Sequence, residues 1–167
     1  MKRILGFVDA MSNWSGIIAS FLVVVVILII DFEVVARYIF NSPTIWATEA
    51  MTIVCGIYFV LGGAYCLLLK MHVSVDIIYT TLTSRTKALV DMITAPVIFL
   101  YMIVIVWTGG EYAWEALLLR ETTGTAANLP LYPLKISFFV AALLMLLQMA
   151  AKFIRDFQFF AFGRKAQ

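Results

Sequence analysis

Four long apolar stretches dominate this chain of 167 residues and leave it few ways to fold in water. Ala10 to Ile30 carries no charged residue. At ~1.5 Å per residue, a helix over that stretch is about as long as a bilayer core is thick. Ala50–Leu69 and Met92–Gly110 repeat the pattern. Ile136–Ala151 is shorter, but its apolar character reaches back through Leu129, Leu131 and Leu134. Each approaches the roughly 17–25 residues that a spanning helix needs. The reading is an all-α, polytopic membrane protein with spans near 12–38, 45–69, 90–118 and 132–155.

Composition agrees. Hydrophobic residues make up 63%, charged residues 13%, and mean hydropathy is +1.00. A soluble domain carries about 25% charged residues. Four spans and their connections use up the length, so one domain is expected over 1–167, with no separate soluble catalytic or nucleotide-binding unit. Lys2 and Arg3 ahead of an apolar run resemble a secretory signal. The run is longer than an h-region and no small-residue cleavage site follows, so an uncleaved first span is the reading. Asn13-Trp14-Ser15 matches a glycosylation sequon by chance.

Charge sets the expected topology. With four spans, both termini share a side with the middle connection. That side carries Lys2, Arg3, Lys70, Arg85, Lys87, Lys152, Arg155, Arg164 and Lys165; the other carries Arg37, Arg120 and Lys135. The excess of basic residues places both termini in the cytoplasm. Asp31, Glu33, Glu49, Glu111, Glu115 and Glu121 gather on or near the outer side, as do Trp46, Trp107, Trp114 and Tyr112.

Asn41-Ser42-Pro43-Thr44 is turn chemistry, so spans one and two should be antiparallel neighbours, with Thr44 or Thr48 capping the second. In Lys70–Asp91, the apolar residues Met71, Val75, Ile78, Leu82 and Leu89 recur at helical spacing. This predicts a helix lying in the membrane interface, with His72 and Asp76 as an i,i+4 pair at its start. The third span should project to about Leu119. Glu121–Asn128 is polar and small, and two prolines lead into span four.

Function classes narrow by elimination. A bis-histidine haem needs two His, and His72 stands alone. A zinc site needs several converging ligands, whereas Cys55 and Cys66 lie about 16 Å apart along one helix, too far for a disulfide. No cofactor, metal or nucleic-acid partner is expected, and no enzyme. The centres of the spans lack the ionisable groups of an ion-coupled transporter. Gly56, Gly62 and Gly63 read as helix-packing residues. Glu33 and Arg37 have the favoured i,i+4 order. Arg37 and Glu49 should lie at one depth, paired to each other or to a partner subunit. Trp107, Glu111, Trp114 and Leu118 share a face of the third helix.

Three segments, taken together, carry a resemblance. They are Arg37-Tyr38-Ile39-Phe40-Asn41-Ser42-Pro43 with Trp46 and Glu49, then His72-Val73-Ser74-Val75-Asp76, then Leu129-Pro130-Leu131-Tyr132-Pro133. In order and spacing, over roughly residues 10–155, they resemble the small membrane subunit of TRAP transporters, the tripartite ATP-independent periplasmic transporters. The match is looser at Tyr132, near which a tryptophan is common. The resemblance implies a bacterial inner-membrane protein in a three-part, sodium-driven uptake system for an organic acid. A periplasmic substrate-binding protein captures the substrate, and a large elevator-type membrane subunit, not fused here, moves it. The small subunit would pack on the large one. Asp31, Glu33, Arg37, Trp46 and Glu49 are the candidate partner contacts. Trp107, Glu111, Trp114, Glu115 and Glu121 are the candidates for docking the periplasmic protein. The remaining surface would meet membrane lipid. Two other readings stay open on residues alone: a small autonomous homo-oligomeric transporter or channel, and an assembly factor.

Overall fold

A computed structural model describes residues 2–69 and 84–162. Four α-helices account for most of them: α1 (Lys2–Tyr38), α2 (Ile45–Leu68), α3 (Ser84–Leu118) and α4 (Tyr132–Phe162). All four contain stretches long and apolar enough to cross a membrane: Leu5–Tyr38, Ile45–Leu68, Ile93–Leu118 and Tyr132–Arg155. The expected number of apolar helices of spanning length is therefore met. A spanning helix satisfies its own backbone in hydrocarbon, where no water can. Hydroxyls inside the helices do the same locally. Ser20, Thr52, Thr94 and Thr108 each donate to the carbonyl four residues back, at 2.8–2.9 Å.

Two boundaries differ from the sequence reading. The first helix starts at Lys2, ten residues ahead of the expected span. At ~1.5 Å per residue its 37 residues reach about 55 Å, well past a ~30 Å hydrocarbon core. Residues 84–91, expected to close an interfacial helix, instead form the first turns of α3. Nothing between Ser84 and Ile93 breaks a helix, and even Pro96 sits within α3. The rest of the expected interfacial helix, including His72 and Asp76, lies outside the described residues.

Helix α4 is the organising element. It packs against α1, α2 and α3, while α1 and α2 pair with each other and α3 packs chiefly on α4. Close approach depends on small residues. Leu134 of α4 lies over Gly56 of α2, Met145 over Gly63, and Phe139 over Gly110 of α3; the Tyr65 ring of α2 covers Gly16 of α1. The two α2–α4 contacts make α4 parallel to α2; Ser12–Gln148 with Asp9–Arg155, and Phe99–Phe153 with Gly110–Phe139, make it antiparallel to α1 and α3. Ala47, Ala64, Ala116, Ala141 and Ala151 are buried, whereas Phe21, Phe59, Val97 and Leu100 point outward. A membrane protein gains nothing by hiding bulky apolar groups from lipid, so its interior is built from residues that let backbones meet.

The bundle thus has two ends. The terminal end holds the start of α1 and the end of α4. The turn end holds the α1–α2 turn and the α3–α4 loop.

Candidate functional site

Polar side chains cluster at both ends. At the turn end, α1 finishes in a widened last turn: Phe40 N–H donates to Val35 O at 3.3 Å and Ser42 N–H to Ala36 O at 3.0 Å. Asn41 takes the left-handed conformation there (φ 50°), which Asn tolerates better than most residues. The turn brings Thr44 back over α1. Thr44 is the N-cap of α2, yet its hydroxyl does not cap the helix. It donates to Glu33, and the Thr44 N–H donates to the same carboxylate at 3.2 Å. The other Glu33 oxygen accepts from Arg37 at 2.6 Å. Phe32 and Trp46 close the turn with ring centroids 5.7 Å apart.

Glu49, one turn into α2, takes a different partner. The Thr123 hydroxyl in the α3–α4 loop donates to it at 2.9 Å. Of the two expected arrangements, pairing of Glu49 with Arg37 inside the chain is not formed, because Arg37 reaches Glu33 along its own helix and Glu49 meets the neighbouring loop. Asp31 is exposed. On α3, the Trp107 indole N–H donates to Glu111 at 2.8 Å, while Trp114 and Glu115 are exposed. Glu121 pairs with Lys135 at 2.5 Å, joining the loop to the first turn of α4. Of the two candidate sets, the structure brings together Glu33, Arg37 and the Phe32–Trp46 pair; it brings Glu49 to the loop, and Glu121 to Lys135 rather than to Glu111 or Glu115.

The terminal end holds a second cluster. Asp9 of α1 accepts from Arg155 of α4 at 2.6 Å and from the Gln148 amide at 3.0 Å. The Ser12 hydroxyl donates to the Gln148 carbonyl oxygen at 3.2 Å, and the Ser15 hydroxyl to Ser12 O at 2.7 Å. Ser12, Ser15 and Gln148 are buried. Helical spacing explains the geometry. Gln148 and Arg155 are seven residues apart and Asp9 and Ser12 three, so each pair lies on one face of its helix. The sequence reading used Arg155 only for topology and passed over the others. The available signal was Gln148 itself, an amide inside an otherwise apolar fourth span, which needs a partner if it faces protein.

Among the described residues, no three His, Cys, Asp or Glu side chains are placed to hold a metal ion. A concave surface of about 510 Å³ lies between α1 and α2, lined in part by Gly16, Ser20, Tyr58, Gly62 and Cys66. Unlike at Gly56 and Gly63, a Cβ added at Gly62 would meet no packed atom within 4 Å. Of the three glycines read as helix-packing residues, Gly56 and Gly63 meet α4 and Gly62 lines the open surface.

Four apolar spans with carboxylates tied at their ends define a multi-pass membrane protein. The family model for tripartite ATP-independent periplasmic transporters, DctQ component, matches residues 24–159. The chain belongs to this family, the small membrane component of TRAP transporters, which is a family of transporter components rather than of enzymes. No curated relative matches the chain, and neither does a solved structure. The matched range includes Glu33, Glu49, Thr123, Gln148 and Arg155; Asp9 and Ser12 precede it.

Proposed function

We propose that the protein is the fixed, scaffold-side subunit of its transporter. It packs against the large elevator-type membrane subunit and helps dock a periplasmic substrate-binding protein during sodium-driven uptake of an organic acid. In this reading it sits in a bacterial inner membrane with both termini cytoplasmic. The turn end, with its acids and aromatics, then faces the periplasm. Asp31, Glu33, Arg37, Trp46 and Glu49, around the turn-end halves of α1 and α2, are the candidate contacts for the large subunit. Trp107, Glu111, Trp114, Glu115 and Glu121 edge the docking face.

One observation carries the proposal. Glu33, Glu49, Glu121 and Asp9 are each bonded within the chain and lie at the two ends of the bundle. From Asp9 to Asp31, α1 carries no charged residue over ~33 Å. A chain that moved an ion or carboxylate by itself would need such groups at mid-depth. Reconstitution tests this. The chain alone in proteoliposomes should move no organic acid down a sodium gradient. Uptake should appear when a co-purifying multi-span subunit and the soluble component are added. Uptake by the chain alone would overturn the proposal.

A further inference from the structure

The connection between α3 and α4 spans 13 residues, 119–131, where neighbouring helices are commonly joined by about 2–8. It is long, and it is fully built. The exit from α3 is a Schellman turn, in which Glu121 N–H donates to Ala116 O at 3.0 Å and Arg120 N–H to Leu117 O at 3.3 Å. Thr122 and Pro130 form an antiparallel bridge. Thr123 N–H donates to Leu129 O at 2.9 Å, Asn128 N–H to Thr125 O at 3.1 Å, and Leu131 N–H to Glu121 O at 2.9 Å.

Thr123 is the latch. Its hydroxyl donates to Glu49 and accepts from Leu129 N–H at 3.1 Å. It also meets the Thr125 hydroxyl at 2.9 Å. A hydroxyl has one proton and two lone pairs. With its proton spent on Glu49, it takes the Thr125 proton on the second lone pair, and every site is filled. Glu49 then fixes the latch to α2, and Lys135 fixes Glu121 to α4. The ordered strap presents an exposed tip of Gly124, Thr125, Ala126 and Asn128.

We infer that this tip is a pre-ordered docking surface for the soluble, substrate-binding component of the transporter. This rests on the functional reading above and names the surface within it. Joining two helices does not require such a loop. A loop held in shape before binding gives up less entropy on association. The tip carries no charge and no large apolar group, so it offers neither a grip for lipid headgroups nor a wedge for hydrocarbon. It lies beyond the end of α3, on the far side of the spans, where a water-soluble partner can reach it. Small residues leave the backbone open to a flat protein surface. The acids expected to steer that partner are partly committed elsewhere, Glu121 to Lys135 and Glu111 to Trp107.

The test measures binding of the purified soluble component to the purified membrane complex in nanodiscs. Ala126→Trp places a bulky ring on the tip and should raise Kd at least tenfold. Thr123→Val removes the latch and should raise it several-fold, with faster hydrogen exchange across 122–131, while Thr123→Ser should stay within twofold of wild type. Co-purification of the large subunit should be unchanged in all three. If the wild-type complex binds the soluble component and Ala126→Trp binds within twofold of it, the loop assignment is overturned and the docking role stands. If Ala126→Trp loses the large subunit, the tip belongs to the membrane interface and the inference fails. If the wild-type complex binds no soluble component, both fall.

Discussion

The two ends of the bundle solve the same problem differently. Each must hold carboxylates on apolar helices. At the terminal end the polar groups face inward: Gln148 and Ser12 are buried between α1 and α4, and Asp9 and Arg155 close the network with about a third of each side chain exposed. At the turn end the bonds stay within a helix and its turn or go to a loop, although the Glu33 side chain is only 14% exposed. Arg37 is half exposed, Glu33 reaches along its own helix and into the adjoining turn, and Glu49 meets a loop threonine. The inward cluster joins two helices that no short turn connects. The turn-end contacts decorate turns whose position the chain already fixes. An inward polar group needs its partner far more, since without it the group faces protein or hydrocarbon with nothing to bond.

Breaking the terminal cluster should therefore have the largest effect. Asp9→Ala leaves Arg155 without its carboxylate and the Gln148 amide without its acceptor. Losing hydrogen bonds to a charged group costs about 1.5–3 kcal/mol. Partial exposure of the pair places the expected loss toward the lower half of that range. Thermal unfolding of the purified chain in nanodiscs measures it. The double variant Asp9→Ala/Arg155→Leu should recover part of the loss, because it removes the stranded cation. A double variant whose loss equals the sum of the two singles would show that the pair is not coupled.

The matching change at the turn end is Glu33→Ala, which removes the Arg37 pair and both Thr44 contacts together. Its drop in unfolding temperature should be smaller than that of Asp9→Ala, since Arg37 is half exposed and can turn to water when unpaired, and the Asn41–Pro43 turn holds Thr44 near α1 anyway. A larger drop than that of Asp9→Ala would invert the comparison. The smallest change should go the other way. Arg120 occupies the left-handed position of the α3 exit (φ 47°), a conformation that glycine adopts without strain. Arg120→Gly should stabilise the chain by up to about 1 kcal/mol, read as a slightly higher unfolding temperature. A lower temperature would mean that the Arg120 side chain makes a compensating contact.

These contrasts also mark what the sequence disclosed. The spans were legible because a charge-free run of about 20 residues has few other uses. The Asn41–Thr44 turn was legible from Pro43. Glu33–Arg37 was legible because i,i+4 pairing stays within one helix. Glu49–Thr123 and Asp9–Gln148–Arg155 were not. They join residues 74 to 146 positions apart, and no local spacing reveals which helix faces α1. Thr44 takes the expected N-cap position, but its hydroxyl is turned to donate to Glu33 on α1 and makes no capping bond, an orientation set by tertiary contact rather than by local sequence. Within the chain, the bond that stays inside one helix was legible, and those across helices took partners that only packing could supply.

The separation of Asp9 from Arg155 also bears on how the protein is made. They are 146 residues apart, and ribosomes add roughly 5–20 residues per second. From the emergence of Asp9 to that of Arg155, synthesis therefore takes on the order of 7–30 s. Through that interval α1 has its partner at Thr44 long before it has one at Arg155. The growing protein is stapled first at its turn end and stays open at the other until the fourth helix arrives. Until then the Asp9 carboxylate at the start of α1 has neither Arg155 nor Gln148 to bond.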